Sequence, residues 1–211
     1  MKRAVLTSVL ITTALPCYAA QIEVYKGKPE LPVIGIYGDI EVADADQFQE
    51  LSSTLNNAVV LLRSSGGKMI AGIRIGEIIK ARGYTTVVKD YCASSCALIW
   101  LAGSKRFMTP TARIGLHQAY SVAGQADGMG NAVLGSYLTR LGLGYAAIAY
   151  ATQTGPDGMK WLTLDDAKRV GIQVIVVGLG TPNQPAVPQT AVAPPSATKL
   201  QPGTPLPAGQ R

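Results

Sequence analysis

Short apolar runs alternate with amphipathic segments along the first half of the chain. The runs are rich in β-branched and aliphatic residues and have the length of buried strands; they lie at 31–37, 58–63 and 85–89. The segments that follow them carry apolar residues at the spacing of one helix face, which predicts helices over 45–55, 70–81 and 94–102. Because strand and helix alternate, we expect parallel strands joined by helical crossovers, which is the α/β class.

The second half of the chain has shorter elements and a glycine-rich loop at 122–130. Apolar runs and helical spacing are again the signals that separate strands from helices. The elements expected here are strands at 106–108 and 114–117, helices over 132–141 and 145–152, a short helix from Thr163 and a last strand at 173–177.

The two ends of the chain differ from this middle part. Residues 1–19 have a basic start, an apolar run and small residues before a cut after Ala19, which is the pattern of a cleaved secretory signal peptide. The run is too short for a transmembrane helix, which needs about 20 apolar residues. Residues 178–211 hold eight of the 13 prolines and no acidic or aromatic residue, so we expect a disordered or polyproline II tail.

The sequence therefore predicts one folded domain at 20–177 in an exported protein, periplasmic or secreted. For the tail, three roles stay open: a flexible extension without function, a tether to the cell envelope, and a docking segment for a partner.

The net charge of +6 first suggests a nucleic-acid partner. Between Glu23 and Arg169, however, the chain has 13 acidic and 15 basic residues, and its other four basic residues lie near the ends. The folded part carries a net charge of only +2, without a clustered basic face. We therefore exclude nucleic acid as a partner.

Two cysteines, Cys92 and Cys96, remain once the signal peptide is removed. Four residues apart on a helix, their Cα atoms would lie about 6 Å apart, which a disulfide tolerates. An oxidising compartment favours that bond, so we expect a Cys92–Cys96 disulfide. Two thiols and one distant histidine are too few ligands for zinc, and we expect no metal and no cofactor.

Three features near the ends of the expected elements carry chemical groups. Gly66 and Gly67 follow the second strand, where backbone amides can approach a ligand and bind a developing oxyanion. Ser94 stands where a strand turns into an apolar helix, and His117, the only histidine, ends a strand. Each alone has an ordinary structural explanation: a turn, a helix N-cap and a structural histidine. Together they are the groups that nucleophilic catalysis requires.

The same residues carry a family resemblance. Motifs in matching order resemble the proteolytic subunit of Clp protease and its periplasmic serine peptidase relatives; they are Gly66-Gly67 with Ala71-Gly72, Ala93-Ser94, Ala102-Gly103, Lys105-Arg106-Phe107, Pro110, Arg113, His117-Gln118, and Trp161-Leu162-Thr163 with Ala167 and Gly171. The resemblance covers about residues 32–177. It implies a ClpP/crotonase-like fold, with parallel strands, helical crossovers and repeated β-β-α units.

The resemblance also assigns roles to the candidate residues. The family's nucleophile falls on Ser94 and its general base on His117. The backbone amide of Ser95, together with an amide of the Gly66-Gly67 turn, would form the oxyanion hole.

The third member of a triad is the point at which the chain departs from the family. The family's aspartate aligns with Met159, and Asp157 lies two residues earlier. Asp157 is the expected orienting acid if its turn carries it to His117. Asp165 and Asp166 are rivals, and a serine–histidine dyad without an acid is the remaining alternative.

Two further departures bear on regulation and assembly. Cys96 stands where the family has glycine, so a disulfide to Cys92 would bracket Ser94 and either rigidify or occlude its turn. The region 119–157, which forms a long helical handle in the family, is shorter and glycine-rich here. A homo-oligomer therefore stays open, and no ATPase partner is expected in a periplasm without ATP.

Three functions compete at this point. The favoured one is an exported, ATP-independent serine peptidase that hydrolyses an extended peptide or protein substrate. The second is a catalytically silent binding or oligomerisation module on the same fold. The third, an acyl-CoA enzyme of the crotonase type, is disfavoured because export separates it from coenzyme A.

Overall fold

The computed structural model describes residues 19–27, 31–121, 123–155 and 157–178, which belong to one compact unit. The predicted signal peptide up to Tyr18 and the predicted tail beyond Gly178 lie outside the described residues and stay predictions. None of the helices in these ranges has the length and apolar character that crossing a membrane requires.

Within these ranges the chain forms eight strands and six helices, which confirms the predicted α/β class. The strands are β1 (Gln21–Lys26), β2 (Pro32–Tyr37), β3 (Val59–Ser64), β4 (Thr85–Ala93), β5 (Arg106–Met108), β6 (Arg113–Leu116), β7 (Lys160–Trp161) and β8 (Ile175–Val176). The helices are α1 (Asp44–Ser52), α2 (Met69–Arg82), α3 (Ser95–Leu101), α4 (Gly128–Arg140), α5 (Tyr145–Thr152) and α6 (Leu164–Val170).

The strands make one sheet in the order β1-β2-β3-β4-β5-β8, with β6 and β7 branching from β4. The pairs from β2 to β8 along this order are parallel, as the helical crossovers predict. Two pairs are antiparallel: β1 pairs with β2, and β7 pairs with β6. Strands β1 and β7 were not predicted from the apolar pattern.

Strand β4 is four residues longer than its apolar run, and that extension positions the site. Its first half pairs with β5, whereas Tyr91, Cys92 and Ala93 pair with β6. On its other side, Cys92 is in register with Ser64 at the end of β3. The carboxyl ends of β3, β4 and β6 therefore meet at one edge of the sheet, where ligands of open α/β sheets bind.

Helix α3 is the centre of the core. All of its residues are buried, in keeping with a helix that is apolar on every side. Trp100 is fixed by two hydrogen bonds. Its indole Nε1 donates to the carbonyl of Phe107 (3.2 Å), and its own backbone carbonyl accepts from Thr86 Oγ1 (2.8 Å). Helix α2 approaches α3 closely because Gly72 has no side chain; a Cβ there would lie 2.9 Å from Ser95 Cβ.

Two helical glycines offer a matched test of this packing. A Cβ at Gly76 in α2 would overlap Tyr137 Oη, whereas a Cβ at Gly135 in α4 meets no atom within 4 Å. Alanine improves helix propensity at both sites by about 1 kcal/mol. We expect Gly135→Ala to raise the free energy of unfolding by up to about 1 kcal/mol, and Gly76→Ala to lower it by about 1 to 3 kcal/mol through overpacking. Denaturant unfolding measures both, and equal effects would contradict the close packing of Tyr137 on α2.

Candidate active site

Ser94 joins β4 to α3 in an unusual backbone conformation. Its φ of 55° and ψ of −127° make it the one non-glycine residue with positive φ in the part of the chain that the structure describes. Such a conformation costs about 1 to 3 kcal/mol and persists where the surroundings enforce it. The Ser94 amide donates to the Gly115 carbonyl (2.9 Å), which anchors the turn to β6.

The Ser94 hydroxyl is not used as a helix cap. Ser94 occupies the N-cap position of α3, yet its side chain makes no capping hydrogen bond. The side chain is half-buried and lines a cavity at the edge of the sheet. The ordinary explanation for a serine at this position, helix capping, therefore does not describe Ser94.

The turn after β3 packs directly against Ser94. A Cβ at Gly66, whose φ is 114°, would lie 2.6 Å from Ser94 Cβ and 2.9 Å from the carbonyl oxygen of Ala93. Only glycine fits this approach. The Gly66 amide itself donates to Ser64 Oγ (3.0 Å), so it is already used within the turn and does not face a ligand.

Gly67 presents its amide differently. It forms a parallel bridge with Ile40, in which Ile40 donates to Gly66 O and Lys68 donates to Ile40 O, each at 2.7 Å. This pattern uses the groups on either side of Gly67 and turns its own N–H away from Ile40. Among the described residues, the amides of Gly67 and Ser95 have no hydrogen-bond acceptor, and both residues line the cavity that holds Ser94.

His117 follows β6 and lines the same cavity. Its Nδ1 lies 2.7 Å from the carbonyl oxygen of Gln118. Because a carbonyl only accepts, Nδ1 carries the proton in the neutral ring, and the lone pair of Nε2 is free to accept one. The ring also packs against Tyr120, with centroids 5.3 Å apart. In the part of the chain that is described, no hydrogen bond joins His117 to Ser94 Oγ, although both face one cavity.

The cavity has a volume of about 320 Å³, in the range of small-molecule and side-chain pockets. Its floor is apolar, formed by Met69, Leu98, Leu116 and Leu134. Its polar groups, besides those already named, include Glu41, Lys68 and Asp127. Among the described residues, the arrangement places a free hydroxyl, an imidazole and two amides without an acceptor around one space, which is the set that acyl transfer requires.

Asp157 is not part of this constellation. It is exposed in the turn between α5 and β7, and its carboxylate makes no hydrogen bond to His117, whose Nδ1 is taken by the Gln118 carbonyl. The turn touches the histidine segment through the backbone instead, because the Gln118 amide donates to the Thr154 carbonyl (3.0 Å). The predicted contact between Asp157 and His117 is therefore not made.

The rival acids in α6 are also placed elsewhere. Asp165 is exposed. The Asp166 carboxylate accepts from Tyr150 Oη (3.0 Å) and from Arg169. The Arg169 guanidinium is the main reason that the pKa of Asp166 is lowered to about 2.

Asp127 is a cavity residue that sequence reasoning missed. It is half-buried at the N-cap of α4, and its carboxylate makes no capping bond. The backbone of Asp127 is fixed on both sides, since its amide donates to the Ala119 carbonyl and its carbonyl accepts from Asn131. Its signal in the sequence was weak: it is the one acidic residue of the glycine-rich loop 122–130.

The expected disulfide between Cys92 and Cys96 is present, with a Cα–Cα distance of 5.2 Å. Both cysteines are fully buried. The bond spans Ser94 from the core side and leaves the hydroxyl on the cavity side, so it restrains the turn without covering the site.

Comparisons with known proteins bear on the family and the fold of the chain. Residues 34–133, which include Gly66, Gly67, Ser94 and His117, match the Clp protease family. The structure is similar to that of ClpP1 from Listeria monocytogenes, with 25% sequence identity and a TM-score of 0.53, over 69% of this chain and 92% of that one. No curated protein sequence matches the chain significantly.

A second solved structure has the same fold. It is a serine-to-alanine variant of the membrane-bound stomatin-specific protease 1510-N, with 21% identity and a TM-score of 0.52, over 68% of this chain and 77% of that one. At this identity the likeness concerns the fold alone. The family match over residues 34–133 and the ClpP1 structure thus confirm the resemblance inferred from the sequence motifs, and the chain has a ClpP-like fold.

Proposed function

We propose that this protein is a serine peptidase that acts without ATP on extended peptide segments. The observation that carries the proposal is the backbone at Ser94: strain is retained there, and the hydroxyl faces a cavity instead of capping its helix. Strained junctions of this kind expose nucleophiles in other hydrolase folds.

In the proposed reaction, Ser94 Oγ attacks the carbonyl carbon of a peptide bond while His117 Nε2 takes the hydroxyl proton. The negative charge that develops on the carbonyl oxygen is bound by the amides of Gly67 and Ser95. Each such donor is worth about 2.7 to 4 kcal/mol of barrier. The histidine then protonates the leaving amine, and water hydrolyses the acyl-enzyme by the reverse route.

His117 is oriented by a backbone carbonyl in this proposal. The Gln118 carbonyl fixes the Nδ1–H tautomer, which is the first task of the acid in a triad. A carbonyl dipole stabilises an imidazolium less than a carboxylate does. The charge of Asp127, in the same cavity, supplies part of that stabilisation at a distance.

The remaining elements of the proposal rest on the sequence and on the family. Export follows from the signal-peptide pattern, and the absence of ATP in that compartment removes the need for an ATPase partner. A homo-oligomer and a tail that tethers the protein to the envelope are proposed on the same basis.

A catalytically silent binding module is the second candidate. Two observations on the described residues favour it: no hydrogen bond joins Ser94 to His117, and no carboxylate forms a hydrogen bond or ion pair with the imidazole. The two candidates differ in whether Ser94 reacts with a serine-directed probe.

The serine assignment has a matched pair of variants. We expect Ser94→Ala to abolish both labelling by a fluorophosphonate probe and peptide hydrolysis. Ser95→Ala should keep most of both, because only the backbone amide of Ser95 takes part. Its buried Oγ has no hydrogen-bond partner in the described part of the chain, so its removal leaves no group there unsatisfied. Intact-protein mass measures the labelling, and circular dichroism confirms that both variants fold. Full labelling of Ser94→Ala would contradict the assignment.

The acid assignment can be tested with two carboxylates. We expect Asp157→Asn to leave kcat within about two-fold of the wild type, because its exposed carboxylate does not reach His117. Asp127→Asn should lower kcat by about three- to ten-fold, since a charge at cavity distance is worth about 1 kcal/mol. Steady-state kinetics on one fluorogenic peptide compares them. A loss of about 10⁴-fold in Asp157→Asn would instead restore it as the third member of a triad.

A further inference from the structure

Asp44 is a buried carboxylate whose bonding is incomplete. It lies in the first turn of α1 and is 1% exposed. Its Oδ2 accepts from the amides of Glu41 (2.7 Å) and Ala20 (3.0 Å), whereas its Oδ1 has no hydrogen-bond partner among the described residues. In the part of the chain that the structure describes, no lysine, arginine or histidine forms an ion pair with it. Burying a carboxylate without a cation destabilises the folded state, so a positive charge beside Asp44 would be stabilising.

The nitrogen of Ala20 is one of the atoms that Asp44 already binds, and Ala20 follows the expected cleavage site directly. Ala19 is exposed, whereas Ala20 is only 4% exposed. Hydrolysis of the Ala19–Ala20 bond by a signal peptidase would consume one water, leave a carboxylate on Ala19 and leave an amine on Ala20. At neutral pH that amine takes the protonated form, with three N–H donors.

We propose that Asp44 is the receptor for the α-ammonium group of the processed chain, formed at Ala20. The ammonium replaces an amide that is already 3.0 Å from Oδ2. It supplies the positive charge that the buried carboxylate lacks, and it has further N–H groups for the unpartnered Oδ1. Removal of the leader would then complete the fold at this point, in addition to releasing the protein.

The ion pair would act on the cavity through a short chain of hydrogen bonds. Asp44 Oδ2 accepts from the Glu41 amide, and the preceding residue, Ile40, bonds to Gly66 and Lys68 on both sides of Gly67. The processed N-terminus therefore fixes the segment that holds the Gly67 amide in place. This effect on catalysis rests on the proposed function, whereas the ion pair itself does not.

The first test uses the exported protein without any substitution. Its N-terminal residue, read by mass spectrometry, should be Ala20. Brief reductive methylation of the folded protein, followed by peptide mapping, should modify the Ala20 α-amine at least about ten-fold more slowly than the exposed Lys89. A free α-amine has a pKa near 8 and would react faster than a lysine. A chain that begins elsewhere, or an α-amine as reactive as Lys89, would overturn the proposal.

The second test compares two purified chains that differ by one residue, one beginning at Ala20 and the other at Ala19. We expect the longer chain to melt about 5 to 10 °C lower, because its ammonium cannot occupy the buried site. In an Asp44→Asn background this difference should fall below about 2 °C. Asp46→Asn is the matched control: Asp46 is an exposed acid in the same helical turn, paired with Arg74, so the difference should persist there. Equal melting of the two chains, or an undiminished difference in Asp44→Asn, would overturn the ion pair.

The effect of N-terminal processing on the candidate active site is measured by probe labelling of the same two chains. Ser94 should react at least about ten-fold more slowly in the chain that begins at Ala19. Equal labelling rates would contradict an effect of the N-terminus on Ser94. The melting experiment would still decide whether Asp44 forms an ion pair with the Ala20 ammonium. If no form of the protein is labelled at all, the proposed peptidase function fails, and the methylation and melting experiments still decide whether Asp44 binds the N-terminus.

Discussion

The backbone of Ser94 adopts a conformation that residues with side chains avoid, and much of the surrounding structure serves to enforce it. The extension of β4 onto β6 supplies the Gly115 carbonyl that holds its amide. Gly66 leaves room for its side chain, and the Cys92–Cys96 disulfide restrains the turn from the core. Without these contacts, a serine at this junction would relax into an ordinary N-cap and its hydroxyl would be used by its own helix.

The central strands and helices could be predicted from the sequence because they bury continuous apolar runs. Strands β2 and β3 and helix α2 were placed within one residue of their observed ends. Strand β1 was missed because its residues are mostly exposed and it is held by pairing along β2. The second half of β4 was missed because the exposed residues Lys89, Asp90 and Tyr91 interrupt its apolar pattern, while pairing with β6 extends the strand to Ala93.

The identities of the main site residues could be predicted from the sequence because their residue types have characteristic chemical roles. Ser94, Gly67 and His117 could be chosen from position and motif, and the structure places all three around one cavity. The direction of a loop carboxylate or of a single amide depends on tertiary hydrogen bonds that leave no pattern in the sequence. Ser64 takes the Gly66 amide, and the Gln118 carbonyl takes the imidazole Nδ1 that Asp157 was expected to bind. Asp127 was missed for the same reason: it lines the cavity because α4 begins there, and the sequence pattern does not show this position.

The most direct measurement of the proposed chemistry is a crystal structure of the purified protein after reaction with diisopropyl fluorophosphate. The structure described here predicts one phosphoryl adduct, on Ser94 Oγ, with its phosphoryl oxygen accepting hydrogen bonds from the amides of Gly67 and Ser95 and with His117 facing the adduct. No adduct, an adduct on Ser95, or a phosphoryl oxygen turned away from both amides would contradict the assignment of this cavity as a serine peptidase site.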